Sequence, residues 1–166
     1  MPTEAEPKPH CRFDSNGHPS KLVCESALHT GDYYVRSEVG RVSARLPIRT
    51  RSELNCAEGW QVRRRRQKIQ QMAVVAAIRP HRQYITLPAT ITFTRIAPRS
   101  LDEDNHLSAW KHIRDSIADI LIPGLRPGRA DGDKRLTFRY AQAKGKVKEH
   151  AVEILITSND LPLLQV

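Results

Sequence analysis

No apolar run in this 166-residue chain approaches the ~18 to 20 residues that cross a bilayer, which excludes a helical membrane span. The first residues hold Glu4, Glu6 and early prolines where a secretory signal has a basic start and an apolar stretch. The expected compartment is the cytoplasm. Cysteine is scarce: Cys11, Cys24 and Cys56 are odd in number and far apart, which argues against a disulfide scaffold and for reduced thiols. His10, Cys11, Cys24 and His29 carry zinc-ligating atoms but lack the tight cysteine pair of zinc sites, so zinc is not expected. Aromatic residues make up 5% of the chain, and several are needed for the core, which leaves few for the stacking platforms of RNA-binding modules. There is no glycine-rich phosphate loop, serine-nucleophile motif or catalytic Cys/His pattern.

Acidic residues are in short supply too. Eighteen Asp and Glu stand against 27 Lys and Arg, a formal charge of +9 with a pI near 9.9, so polyanions are the first partners to consider, with nucleic acid ahead of an acidic membrane. The excess is uneven. Residues 1–46 hold six basic and six acidic side chains, so all of the +9 lies beyond them. Seven acids (Asp102, Glu103, Asp104, Asp115, Asp119, Asp131 and Asp133) fall between 102 and 133. A carboxylate cluster inside a basic body suggests cations held where nucleic acid docks, although a solvated helix face and two polar turns would give the same count.

Residues 1–45 read as an irregular N-terminal extension with a short strand around Asp32 to Val35. Val42, Ala44, Leu46 and Ile48 alternate as a half-buried strand does. Residues 57–79, rich in Arg, Gln and Ala, predict a long basic helix that Pro80 ends. A strand follows at about 89–97. Leu107, Trp110, Ile113, Ile117, Ile120 and Leu121 recur at helical spacing, predicting one amphipathic helix over 105–121 with Asp104 as its N-cap. Two alternating runs, Arg135 to Gln142 and Glu149 to Thr157, joined through Gly145, read as a hairpin. The expected fold is α+β: a mixed β-sheet of about four strands with two helices, in the order β-α-β-α-β-β, followed by a C-terminal tail over 158–166.

Asp102 and Asp104 are two apart and face the same way in an extended segment, so they could share one cation. Asp131 and Asp133 repeat the spacing around Gly132. Such carboxylates suit Mg²⁺ or Mn²⁺, hard cations that take oxygen ligands and keep waters. Each motif alone has a plainer reading as a cap or a turn. Lys111, Asp115 and Asp119 follow at four-residue steps on one helix stripe. Arg63, Arg64, Arg65 and Arg66 sweep most of a helical turn, so they cannot all meet one ligand. With Lys68 they offer donors for a DNA backbone, and Arg79, Arg82, Arg95 and Arg99 extend that surface.

These residues together resemble the RusA family of Holliday-junction resolvases. The resemblance rests on the Asp-x-Asp-Asn motif of Asp102, Asp104 and Asn105 at a helix start, on Lys111 and Asp115 along that helix, and on Asp131 and Asp133 beyond it. Leu46, Pro47 and the segment from Ser52 to Asn55 resemble the family's first strand and Ser/Asn loop. Residues 46–157 are covered as a RusA-like endonuclease domain. Two positions depart from the family pattern: Ser108 stands where its Lys usually falls, with Lys111 three residues on, and Ala130 takes the usual first Asp of the acidic pair.

The resemblance implies a homodimeric, Mg²⁺-dependent endodeoxyribonuclease, in a bacterial or phage-infected cell, that cuts four-way or otherwise branched double-stranded DNA. Asp102, Asp104 and Asp131 match the essential carboxylates, Asp133 is a helper ligand, and Lys111 is a catalytic cation. Asn55 and Asn105 would contact DNA. No membrane partner and no small-molecule cofactor are implied. The other expectation is a non-catalytic DNA-binding protein that uses the basic helix 57–79 and spends its acids on caps and turns.

Overall fold

The structure, a computed structural model, describes residues 24–25, 33–54 and 57–159. Strand β1 (Cys24–Glu25) is a two-residue edge piece on β2 (Tyr34–Glu38), which turns back into β3 (Arg41–Leu46) through Val39 and Gly40. Gly40 sits at φ 78°, the left-handed conformation that glycine adopts without a side-chain clash. Helix α1 (Trp60–Ile78) runs into a 3₁₀ segment over Arg79–Tyr84, then β4 (Ala89–Ala97). Two helices, α2 (Glu103–Ser108) and α3 (Lys111–Leu121), and a 3₁₀ turn over Ala130–Gly132 lead to β5 (Leu136–Lys144) and β6 (Ala151–Ser158).

The strands form one mixed sheet in the order β1-β2-β3-β6-β4-β5. Every pairing is antiparallel except β4 with β5. Parallel neighbours need a crossover, and α2 with α3 supplies it. The core is a single cluster in which Val42, Ala44, Ile91, Phe93, Val152, Ile154 and Ile156 of the sheet meet Val74, Ile78, Trp110, Ile113, Ile117 and Leu121 of the helical layer. Trp110, fully buried, stacks on Phe93 with ring centroids 4.9 Å apart. The class is α+β, as expected, with more strands and one more helix than the pattern predicts.

Five expectations are corrected. The runs read as a hairpin are strands β5 and β6, but β4 lies between them. A turn between two alternating runs says only that the chain reverses. Here residues 145–150 carry it across the end of β4, with Gly145 N–H donating to Ala97 O at 3.0 Å. A Cβ on Gly145 would come 3.0 Å from Ile96 Cγ2, so a larger residue at the crossing would have to push that side chain aside.

The single helix over 105–121 is two helices. Ser108 Oγ donates to Asn105 O at 3.0 Å, a local bond that competes with the helical ladder. Ala109 N–H is shared between the Asn105 and His106 carbonyls. The cap is Asp102, which accepts the Asn105 N–H at 3.0 Å, while Asp104 sits in the first turn.

Residues 34–45 do not belong to an irregular extension. They form β2 and most of β3, and β3 pairs with β6 inside the sheet. At the other end, Ser158 belongs to β6 and donates its N–H to Gly40 O at 2.8 Å, so it is not tail; residues 160–166 lie outside the described residues.

Because Trp110 is fully buried against Phe93, Trp110→Ala should destabilise the fold by about 3 to 5 kcal/mol. Urea unfolding checks this; a loss under ~1 kcal/mol would contradict the packing.

Candidate active site

One end of the sheet collects loops from distant parts of the chain. The segments after β3 and β4 and the approach to β6 enclose a cleft of about 390 Å³ lined by Arg49, Thr50, Arg51, Ser52, Arg95, Pro98, Arg99, Leu101 and His150. A second depression of about 400 Å³ lies on the other side of the Pro98–Ser100 segment, against Gln142, Ala143 and Lys144. That segment leads into Asp102. The Gln142 side chain clamps Leu101, accepting its N–H at 2.9 Å and donating to its carbonyl at 2.8 Å.

Asp102, Glu103 and Asp104 are exposed at the α2 N-terminus, where the helix dipole favours negative charge. Asp102 Oδ2 also accepts from Asn105 Nδ2 at 2.9 Å. Ser52 Oγ donates to Asn105 Oδ1 and lies 3.0 Å from Ser108 Oγ. The Ser52 loop is thereby docked on α2, beside the Asp-x-Asp-Asn motif. Asn55 lies outside the described residues, as do His10, Cys11 and His29.

A second acidic group surrounds Arg114. Its Nη2 donates to Asp131 Oδ2 at 2.8 Å, and it is also hydrogen-bonded to Tyr140. Burial pushes the Asp115 carboxyl above its ordinary value of 3.8; Lys111 opposes the rise and neighbouring Asp131 adds to it. Among the described residues, buried Asp115 Oδ1 has no hydrogen-bond partner. Arg114 meets Tyr140 and Leu101 meets Gln142, two residues apart on the same side of β5, so both acidic groups adjoin one stretch of that strand.

The remaining acids have other roles. Asp133 pairs with Arg135 at 2.9 Å, and hydrogen bonds from that side chain hold its carboxyl down at about 2. Asp119 accepts the Gly128 N–H at 3.0 Å, fixing the loop before Asp131. Among the described residues no three His, Cys, Asp or Glu side chains converge as a metal-binding group. Asp102 and Asp104, Asp131, and Asp133 thus stand as neighbouring groups and do not form one ligand cage.

The arginine run is divided by helix geometry. Arg66 binds Glu53 at 2.7 Å and Glu58 at 3.1 Å, and Arg63 reaches Glu53 at 4.0 Å, so these two pin the loop after β3. Arg64, Arg65 and Lys68 are exposed and remain available to a polyanion. Arg82, expected on the same surface, bonds the Leu121 and Ile85 carbonyls and serves the fold. Arg95 is buried.

Sequence reading left Arg49, Arg51 and His150 out of any site and gave Asp115 no ligand role. The i to i+4 step from Lys111 to Asp115 was the available signal; nothing in spacing links 49, 95 and 150. The sequence matches no family model and no curated protein. Among the described residues no helix is long and apolar enough to cross a membrane.

The Asp115 carboxyl has a folded-state pKa above its unfolded value. Its ionised form therefore destabilises the fold at neutral pH, and this penalty vanishes below about pH 4. Asp115→Asn should raise stability at pH 7, with the gain shrinking toward pH 4. Urea midpoints at the two pH values test this; a destabilised variant at pH 7 would contradict it.

Proposed function

We propose that this chain is a divalent-metal-dependent endodeoxyribonuclease of the Holliday-junction resolvase type, with a RusA-like domain. The reading rests on one observation: exposed carboxylates at the α2 N-terminus follow directly on the lip of an arginine-lined cleft. Phosphodiester hydrolysis needs both signs of charge side by side, guanidiniums to grip the strand and carboxylates to hold a hard cation.

Mg²⁺ or Mn²⁺ is the cation that such oxygen donors would take. Mg²⁺ takes one or two protein carboxylates and keeps its waters, and among the described residues Asp115 Oδ1, beside Asp131, is a buried oxygen with no hydrogen-bond partner. Asp102 and Asp104 would hold the ion, with Asp131, Asp115 and Asp133 in the neighbouring acidic groups. A bound Mg²⁺ acidifies a water and offsets charge on the scissile phosphate.

The chain's own groups do the positioning. Ser52 and Asp102 fix Asn105, Arg114 orients Asp131, and exposed Lys111 at the start of α3 supplies positive charge to the transition state. A two-fold homodimer would match the symmetry of a four-way junction and make paired nicks. Arg64, Arg65 and Lys68 hold the flanking arms.

A second reading, a DNA-binding protein that does not cut, is favoured by the occupied carboxylates: Asp102 caps α2 and Asp131 pairs with Arg114. Cleavage of a labelled four-way junction with and without Mg²⁺ separates the two. The nuclease reading expects symmetric, metal-dependent nicks that Asp104→Asn and Asp131→Asn each reduce by about 100-fold or more, with junction affinity kept or raised as repulsion of phosphate falls. Tight binding without cutting under either metal would leave the second reading.

A further inference from the structure

The arginine-lined cleft has a composition that a structural role does not explain. Arg49, Arg51, Arg95 and Arg99 share about 390 Å³ with His150, and among the described residues the cleft lining includes no carboxylate. Arg51 reaches Glu58 at 2.5 Å. Arg95 is 7% exposed, and its bonds go to neutral acceptors: Nε to Thr50 Oγ1 at 3.2 Å and Nη1 to Arg99 O at 2.6 Å. A guanidinium taken out of water without a counter-charge is costly unless something supplies the anion. The positive field is felt nearby. His150 is held below its ordinary value by burial and then by Arg49, Arg95 and Arg51.

We propose that this cleft is a phosphate-binding site, and that its occupant is a backbone phosphate of the DNA strand led to Asp102 and Asp104. Guanidinium forks match phosphate oxygens two at a time. Thr50 Oγ1 accepts from Arg95, which leaves its hydroxyl hydrogen for the ligand. Arg99 is three residues before Asp102, at most about 10 Å of extended chain, so a phosphate bound here lies within a few nucleotides of the carboxylates. The choice of DNA rests on the nuclease reading. The phosphate chemistry does not.

Arg95 ties two loops together, so its loss could unfold the site; Arg49 and Arg99 are exposed at the rim, and it is their carbonyls that serve the fold. The test therefore uses the full chain carrying Arg49→Gln with Arg99→Gln, and Arg41→Gln at the far end of β3 as control, all without divalent metal. Inorganic phosphate replacing chloride at equal ionic strength should raise the Tm of the parent chain and of the control, and leave the double variant unmoved. An equal rise in the double variant would overturn the site.

On a four-way junction, the double variant should bind several-fold more weakly, with a slope of log K against log salt smaller by about 2. A lost phosphate response with unchanged junction affinity and slope would assign the cleft to a free phosphate compound and overturn the DNA occupant. Neither arm reads cleavage. A chain that binds phosphate in the cleft and never cuts would keep this proposal and sink the nuclease reading.

Discussion

Strand β4 must be hydrogen-bonded on both sides, and the rest of the molecule is arranged around that requirement. Its inner face, with Ala89, Ile91 and Phe93 fully buried, packs against Trp110, while its two edges take β5 in parallel and β6 in antiparallel pairing. The parallel partner forces a crossover, and the crossover carries α2, α3 and seven of the chain's 18 acids. The antiparallel partner forces residues 145–150 over the end of β4, which brings His150 to the Arg95 cleft. One packing constraint thus delivers carboxylates and guanidiniums to the same end of the sheet.

Their charges are kept apart by different means. At the α2 N-terminus, exposure and the helix dipole stabilise the carboxylates. Asp115 and Arg95 are instead held partly or wholly out of water. Among the described residues, one is a half-buried acid with an oxygen lacking a hydrogen-bond partner, the other a buried base whose bonds go to neutral acceptors. Groups held against their solvation preference concentrate where a ligand will supply what is missing. In the proposed reading, a cation near Asp115 and a phosphate at Arg95 would be complementary halves of one substrate complex. By contrast, Arg66 with Glu53 and Glu58 is a closed structural unit that fixes the loop carrying Ser52.

How much of this was legible in sequence depended on how local the cause was. Strand β4 was read correctly because β-branched residues alternate from Ala89 onward, and α1 because nineteen residues contain neither Gly nor Pro. Pairing order was not legible, since β5 and β6 alternate equally well whether or not a third strand separates them. The break between α2 and α3 turns on one hydroxyl, Ser108 Oγ, and on Trp110 reaching the core; both residues fit the helical period, so periodicity hid the break. The acids were found as a cluster, but their partners were not, because Arg114 with Asp131 and Asn105 with Ser52 are contacts of the fold. The cleft was least visible, its cations being scattered from Arg49 to His150.

The claim on which the proposed nuclease reading depends is that the carboxylates at 102–104 hold a divalent metal, with those at 115 and 131 in the neighbouring acidic group. Fe²⁺ substituted for Mg²⁺, with ascorbate and peroxide, cuts a polypeptide by hydroxyl radicals close to the bound ion, and the fragment termini locate it. Scission confined to the neighbourhoods of Asp102, Asp115 and Asp131, and suppressed by excess Mg²⁺, is the expected result. Scission only at unrelated positions, or not at all, would contradict a metal held at these acids.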